Sequence, residues 1–362
     1  MKLTDILSGN YNAAEWEAKG YELPKFDIAA VAKKTHDTPT WVHFGGGNIF
    51  RAFPAAILND ALNSGKYDRG VIVAETFDFE VIDKAYAPYG NLSLLVSLQS
   101  TGTIEKKVIA SVTEALKANY QFADWQRLVE IFRNPSLQMI SFTITEKGYS
   151  VAPADLDRGL TPVLAMGKVT ALLLERYKAG QLPLTVQSMD NCSHNGDKVK
   201  AGVFAYAEKW VNDGLVEPAF LDYLRDETMI TFPWSMIDKI TPRPHEKVQA
   251  MLAADGFDDN NYIETAKHTF TAPFVNAEEV QYLVIEDNYK LVALIYPDFE
   301  QAQEDGLDRE QLEEKLNEDM MLANLELDQY CKLSRVEIVD QEFEKTPKRS
   351  IKRYLYQRGT NA

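Results

Sequence analysis

The stretch Trp41–Phe53, WVHFGGGNIFRAF, decides how the chain reads. Trp41 to Phe44 is a short apolar run with the make-up of a buried strand. Gly45, Gly46 and Gly47 follow it. A helix is then expected from about Asn48, because FRAFPAAILNDALNS (50–64) has helical periodicity. Pro54 suits the first turn of a helix, where its missing N–H costs little. A second apolar run, GVIVAE, occupies 70–75. Strand, glycine turn, helix and strand make a βαβ unit, which requires parallel strands and a right-handed crossover. Further strands are expected at 92–99, 107–112, 138–144 and 184–188, and helices at 123–133, 160–179, 196–212, 216–226 and 244–255. This alternation predicts an α/β fold built on one sheet, with no internal repeat.

The same glycines suit a ligand. Gly45 and Gly47 meet two positions of the G-x-G-x-x-G pattern, and Phe50 stands at the third. A turn without Cβ atoms lets diphosphate oxygens reach backbone N–H groups, and the helix from Asn48 adds its positive end. Arg51 offers a charge to the phosphates or to the nicotinamide side. Glu75 ends the second strand, where an acid accepts hydrogen bonds from the adenosine ribose and repels a 2′-phosphate. Asp78 is a second candidate for that role. ETFD (75–78) holds no Arg or Lys for a phosphate, which favours NAD over NADP. Two other readings stay open: a glycine turn that serves only close packing, and an S-adenosylmethionine-dependent methyltransferase, which also places an acid after its second strand.

Composition narrows the partners. The 362 residues leave room for two domains. Acidic residues number 54 against 38 basic, a net charge of −16, which repels nucleic acid and anionic lipid. No apolar run reaches the roughly 18 residues of a membrane span, and the N-terminus lacks a signal-peptide core. Cys192 and Cys331 lie far apart, with no CxxC or Cys/His spacing. A disulfide framework and a metal site are therefore not expected, and a cytoplasmic location is.

Three later stretches end in polar clusters. SFTITEKGYS (141–150) closes a strand with Thr145, Glu146 and Lys147, at the edge where α/β ligands collect. Thr145 is a candidate for the cofactor and Lys147 for the substrate. SMDNCSHNGDK (188–198) brings Asp190, Asn191, His194 and Asn195 to another strand end. Side-chain amides there suit a substrate oxygen that gains negative charge. FPWSMIDKITPRP (232–244) reads as a proline-stiffened loop presenting Asp238, Lys239 and Arg243. Each stretch also reads as a turn whose Asn, Asp and Gly serve the backbone alone. His43 reads as a satisfied core histidine and Cys192 as a small packed residue. His194 is a candidate for substrate contact, and Lys147, Lys239 and His245 are candidates for a proton-transfer group.

In this order and spacing, GGGNIFRAF, TITEKGY, DNCSHNG and FPWSMIDKITP resemble the mannitol dehydrogenase family of long-chain polyol and sugar-acid dehydrogenases, most closely its fructuronate reductase (mannonate oxidoreductase) branch. The resemblance runs to VIED (284–287). It implies a Rossmann-type dinucleotide-binding domain over 1–287 that uses NAD and no metal. It also implies hydride transfer between a secondary alcohol of a polyol or sugar acid and its ketone. It places Gly45, Gly47, Asn48 and Arg51 in the dinucleotide turn, and Glu75 or Asp78 on the ribose. Asn191 matches the asparagine that holds the substrate oxygen, and Asp190, Asn195, Asp238 and Lys239 line the same region.

Members of that family continue into a mostly helical domain whose catalytic lysine lies in a stretch resembling K-x-x-x-x-N-x-x-H. A lysine whose pKa is lowered by burial can take the alcohol proton as hydride leaves. Residues 288–362 hold no such spacing: Asn317 follows Lys315 by two positions, and no histidine comes after His268. Impaired catalysis is therefore expected, or a nucleotide-binding remnant that does not turn over. Residues 288–357 instead resemble the C-terminal subdomain of AMP-forming long-chain acyl-CoA ligases. The expectation is a small α+β appendage over 288–362 in place of the helical domain, and a chimeric chain. Within it, 298–328 is acidic on a helical pattern and SRVEIVD (334–340) is strand-like. Arg349 and Ser350, flanked by Lys348 and Lys352, replace the ligases' T-G-K lysine. No Ser/Thr/Gly-rich ATP loop lies upstream, so adenylation is not expected. A dinucleotide domain without its helical partner leaves apolar surface bare, so a homo-oligomer is expected.

Overall fold

The computed structural model describes residues 1–286, 291–326, 333–345 and 351. Lys348, Arg349, Ser350 and Lys352 lie outside the described residues. The chain divides into two compact units, Met1–Asp287 and Asn288–Ala362.

Six parallel strands form the main sheet of the first unit: β1 Trp41–Phe44, β2 Val71–Glu75, β3 Val112–Lys117, β4 Met139–Phe142, β5 Leu184–Ser188 and β6 Ile230–Thr231. Their order across the sheet is β3-β2-β1-β4-β5-β6. The connections reverse direction between β1 and β4, and ligands of open α/β sheets collect beyond the carboxyl ends of strands at such a switch. Every residue of β2 is buried. The cause is cover on both faces, which makes parallel strands read as unbroken apolar runs. Ile72 and Ala74 pack with the helices Asp124–Arg133, Ala165–Lys178 and Asn195–Asn212. Val71 and Val73 face the other way, toward Phe50, Leu58 and Leu62. That second layer is closed by a four-stranded sheet in the order Tyr21–Glu22, Ile104–Ile109, Ser93–Leu98, Phe274–Glu278.

Three elements differ from expectation. The helix from Asn48 is two helices, Asn48–Ala52 and Pro54–Asn63, joined at Phe53 with φ −131° and ψ −75°. Pro54 does sit at the first position of a helix, but its ring disfavours helical geometry in the residue before it. The strand expected at 107–112 is the end of one strand, Ile104–Ile109, and the start of β3. The chain changes sheets at Ala110–Ser111, where the Asn59 side chain accepts the Ala110 N–H and the Ser111 hydroxyl donates to the Ala55 carbonyl. Residues 232–244 are not a loop throughout. Trp234–Lys239 pairs antiparallel with Gln281–Glu286 in a ribbon, a partner far along the chain that no local pattern announces.

In the second unit Leu291–Ile295 and Leu333–Ile338 pair in parallel. The acidic stretch forms two helices, Phe299–Glu304 and Arg309–Glu326. They are separated at Gly306, whose φ of 74° suits glycine. The Asp298 side chain caps the first by accepting the Gln301 N–H.

Candidate dinucleotide site

Gly45 leaves β1 with φ 108°. A Cβ on it would lie 2.3 Å from the Thr143 carbonyl at the end of β4. Glycine is thus required there by the fold. Gly46 is held on both sides: its N–H donates to Glu75 Oε2 at 2.9 Å, and its carbonyl accepts the Tyr86 hydroxyl at 2.9 Å. Gly47 differs. A Cβ there would meet nothing within 4 Å, and its φ of −74° is open to any residue. The N–H groups of Gly47 and Asn48 meet no acceptor among the described residues. The turn therefore pairs a glycine demanded by packing with one that leaves open space beside free donors, a cradle that suits diphosphate oxygens.

Glu75 closes one side of the cradle. Its Oε1 accepts the N–H groups of Thr76, Phe77 and Asp78, while Oε2 accepts, among the described residues, Gly46 alone and keeps a lone pair. Behind it, buried Lys168 donates to the Thr76 carbonyl at 2.9 Å. Burial pushes the Lys168 pKa down to about 8, against the pull of Glu75 and Asp155. Nothing in the sequence marks Lys168, which lies 93 residues beyond Glu75 on a helix that otherwise reads as core.

Arg51 and Asp78 have other partners. The Arg51 guanidinium is fully buried and donates to the Ala272 carbonyl, Thr271 Oγ1 and Asn48 Oδ1, at 2.7, 2.6 and 2.8 Å. Asp78 Oδ2 accepts the Thr265 hydroxyl at 2.5 Å. Both thus reach the hairpin Ile263–Glu264 and Phe270–Thr271. Lys267 in the same hairpin donates to the Phe77 carbonyl, and Asn48 Nδ2 donates to the Phe270 carbonyl. The charge expected at the phosphates is bound into the frame instead, because the hairpin covers that side of the short helix.

His43 is buried, with Nδ1 2.7 Å from Ser141 Oγ, Nε2 2.8 Å from Thr143 Oγ1, and its ring stacked on Phe50. Desolvation holds its pKa down at about 3, so the ring is neutral. It ties β1 to β4 beneath the glycine turn.

The cluster after β4 and β5 is only partly assembled. Asp190 accepts the N–H groups of Ile144 and Thr145, at 2.9 and 3.2 Å, and the Tyr149 hydroxyl at 2.5 Å. Thr145 has φ 65° and ψ 161°, a conformation that is almost glycine's alone and costs a side chain on the order of 1–3 kcal/mol. The exposed side chains of Asn191 and Lys147 have no hydrogen-bond or ion-pair partner among the described residues. Asn195 is buried and structural: its amide donates to the Asp190 and Ser235 carbonyls and accepts the Ser235 N–H. Lys239 is not brought here. It is buried at the far end of the ribbon, donating to the Glu278 carbonyl and Gln281 Oε1. Asp238 is exposed opposite Tyr282. Both were expected on a loop facing substrate, and pairing as a strand turns them elsewhere. His245 caps the helix Glu246–Ala254 by accepting the Lys247 N–H.

Sheet order, switch point and glycine turn define a Rossmann-type α/β protein. Residues 39–293 match the family described as the mannitol dehydrogenase Rossmann domain. The chain belongs to the mannitol dehydrogenase family. It is 50% identical over 287 residues to the D-mannonate oxidoreductase of Thermotoga maritima, covering 76% of this chain and 53% of the relative. Among solved structures, a substrate-free D-sorbitol dehydrogenase matches with a TM-score of 0.59 at 26% identity, over 74% of this chain and 52% of its own. The Pseudomonas fluorescens mannitol 2-dehydrogenase, in ternary complex with NAD and D-mannitol, matches with a TM-score of 0.61 at 24% identity. That match covers 76% of this chain and 54% of the other. The chain spans about half the length of these relatives.

Proposed function

We propose that the chain is the NAD-binding part of a polyol or sugar-acid oxidoreductase. The reaction interconverts a secondary alcohol of mannonate or mannitol type and its fructuronate- or fructose-type ketone, the hydride going to or from NAD and the proton to or from a base. The observation that carries this reading is the open space at Gly47 beside the Gly47 and Asn48 amides, which are unpaired among the described residues. NAD, when bound, supplies or accepts the hydride. The Gly47 and Asn48 N–H groups hold the diphosphate, and Glu75 Oε2 accepts from the ribose while Gly46 steadies it. The free Asn191 amide donates to the substrate oxygen and stabilises it as charge develops. Thr145 borders the cofactor and Lys147 the substrate. Asn195 and Lys239 keep the structural contacts described above, and Asp238 stays exposed on the ribbon opposite Tyr282.

The stretch 288–357 is proposed as an appendage of acyl-CoA-ligase type that does not adenylate. A second reading is a nucleotide-binding domain that binds without turnover. A cytoplasmic location and self-association complete the proposal. The exposed apolar side chains Met236, Tyr282 and Val284 on the ribbon support self-association.

NADH fluorescence titration, run beside a turnover assay with fructuronate and mannitol, tests the proposal. Saturable NADH binding with turnover is the outcome expected of an oxidoreductase, and binding alone points to the second reading. No NADH binding, or tight binding of S-adenosylmethionine in its place, overturns both.

A further inference from the structure

The Asp190 carboxylate lies across the ends of β4 and β5 and grips the loop after β4. Its Oδ1 accepts the Thr145 N–H, and its Oδ2 accepts the Ile144 N–H and the Tyr149 hydroxyl. Tyr149 also shares a hydrogen bond of 2.7 Å with Ser188 Oγ, and Asn195 holds the Asp190 carbonyl. The Tyr149 hydroxyl, backed by Ser188, thus holds the carboxylate directly, and Asn195 holds the backbone of the same residue. What the carboxylate grips is the least comfortable backbone in the crevice: Thr145, with φ 65° and ψ 161°. The bond from within its own turn is local, the Gly148 N–H to the Thr145 carbonyl. Two residues earlier, the Thr143 carbonyl touches Gly45, so the loop adjoins the glycine turn. A threonine released from the Asp190 bonds would fall back to an ordinary conformation and carry the loop away from that turn.

We propose that Asp190 is a positioning residue. It pins Thr145 in a strained conformation and so presents residues 145–147 to the dinucleotide and its reaction partner, rather than touching the substrate itself. This rests on the NAD-binding reading above for its functional half, though not for the clamp.

The test is a rescue cycle with D190A, T145G and D190A/T145G, read by thermal melting and by NADH titration. Glycine adopts the Thr145 conformation without help. D190A is therefore expected to lower the melting temperature and weaken NADH by about tenfold. In the T145G background the same change should cost much less, leaving D190A/T145G within about threefold of T145G. Equal losses from D190A in both backgrounds would overturn the clamp, as would a D190A protein that melts and binds like wild type. A D190A protein too unstable to purify, beside a D190A/T145G protein that folds, supports the clamp. If neither folds, D190N, which keeps one accepting oxygen, carries the same cycle with smaller losses and the same criterion. Failure of wild type to bind NADH would sink the functional reading, and the melting cycle would still decide the clamp.

Discussion

Gly45 and Gly47 look alike in the sequence and differ in what the fold asks of them. Gly45 carries a positive φ and abuts the Thr143 carbonyl, whereas Gly47 borders open space. G45A is therefore expected to destabilise the first unit by about 2–4 kcal/mol, since backbone must move to admit the methyl group. G47A should melt within about 0.5 kcal/mol of wild type and yet lose roughly tenfold or more in NADH affinity, as its Cβ fills the diphosphate cradle. Chemical denaturation and NADH titration of the two variants separate these outcomes. A G47A protein that binds NADH normally would place the diphosphate elsewhere. The sequence pattern identifies the turn but cannot rank its glycines, because what each Cβ would meet comes from residues distant in the chain.

At the level of elements, the hairpin 263–271 has no signature in the sequence. Its two-residue strands carry no strong pattern, yet it braces both arms of the crevice. It holds Arg51 and Asn48 on the glycine side, and Asp78 and Phe77 on the Glu75 side. This is why two charged residues that the motif pointed to the ligand are turned into the frame. Removing the Arg51 side chain takes the guanidinium donor from the Ala272 carbonyl, Thr271 Oγ1 and Asn48 Oδ1, and the last keeps only a long bond of 3.5 Å from the Thr271 hydroxyl. R51A is accordingly expected to cost roughly 3–5 kcal/mol of stability, with R51K recovering only part of it. Urea unfolding provides the measurement. An R51A protein as stable as wild type that has lost only NADH affinity would return Arg51 to the phosphates. The proline-flanked stretch 232–244 departs from its local pattern for a related reason: strand pairing with a distant segment sets its side-chain directions.

At the scale of the molecule, the ribbon exposes apolar side chains on one face among the described residues. Met236 pairs with Val284 and Asp238 with Tyr282, and Ile240 and Val280 continue the exposed apolar surface beyond the strands. Apolar surface gathered on one face favours association. Sedimentation velocity is expected to show a concentration-dependent rise in mass, and Y282E/V284E to reduce it. A wild-type chain that stays monomeric across the micromolar range would remove the argument. Among the described residues, no helix is long and apolar enough to cross a membrane. The parallel sheet is legible from its apolar runs and βα alternation, since covering both faces of a strand leaves a mark on every residue in it.

Amino-acid order alone determined the βαβ opening, the glycine turn with Glu75 after the next strand, and the four motifs of the family, because each depends on residues close in the chain. Tertiary structure decided which of those residues still have a free hydrogen-bonding group. Arg51, Asp78, Asn195 and Lys239 are taken up by partners distant in sequence, while Gly47, Asn48 and Asn191 keep groups unpaired among the described residues. The physical reason is that a buried polar group must find a partner wherever the fold supplies one, and that supply is set by packing between elements rather than by spacing along the chain.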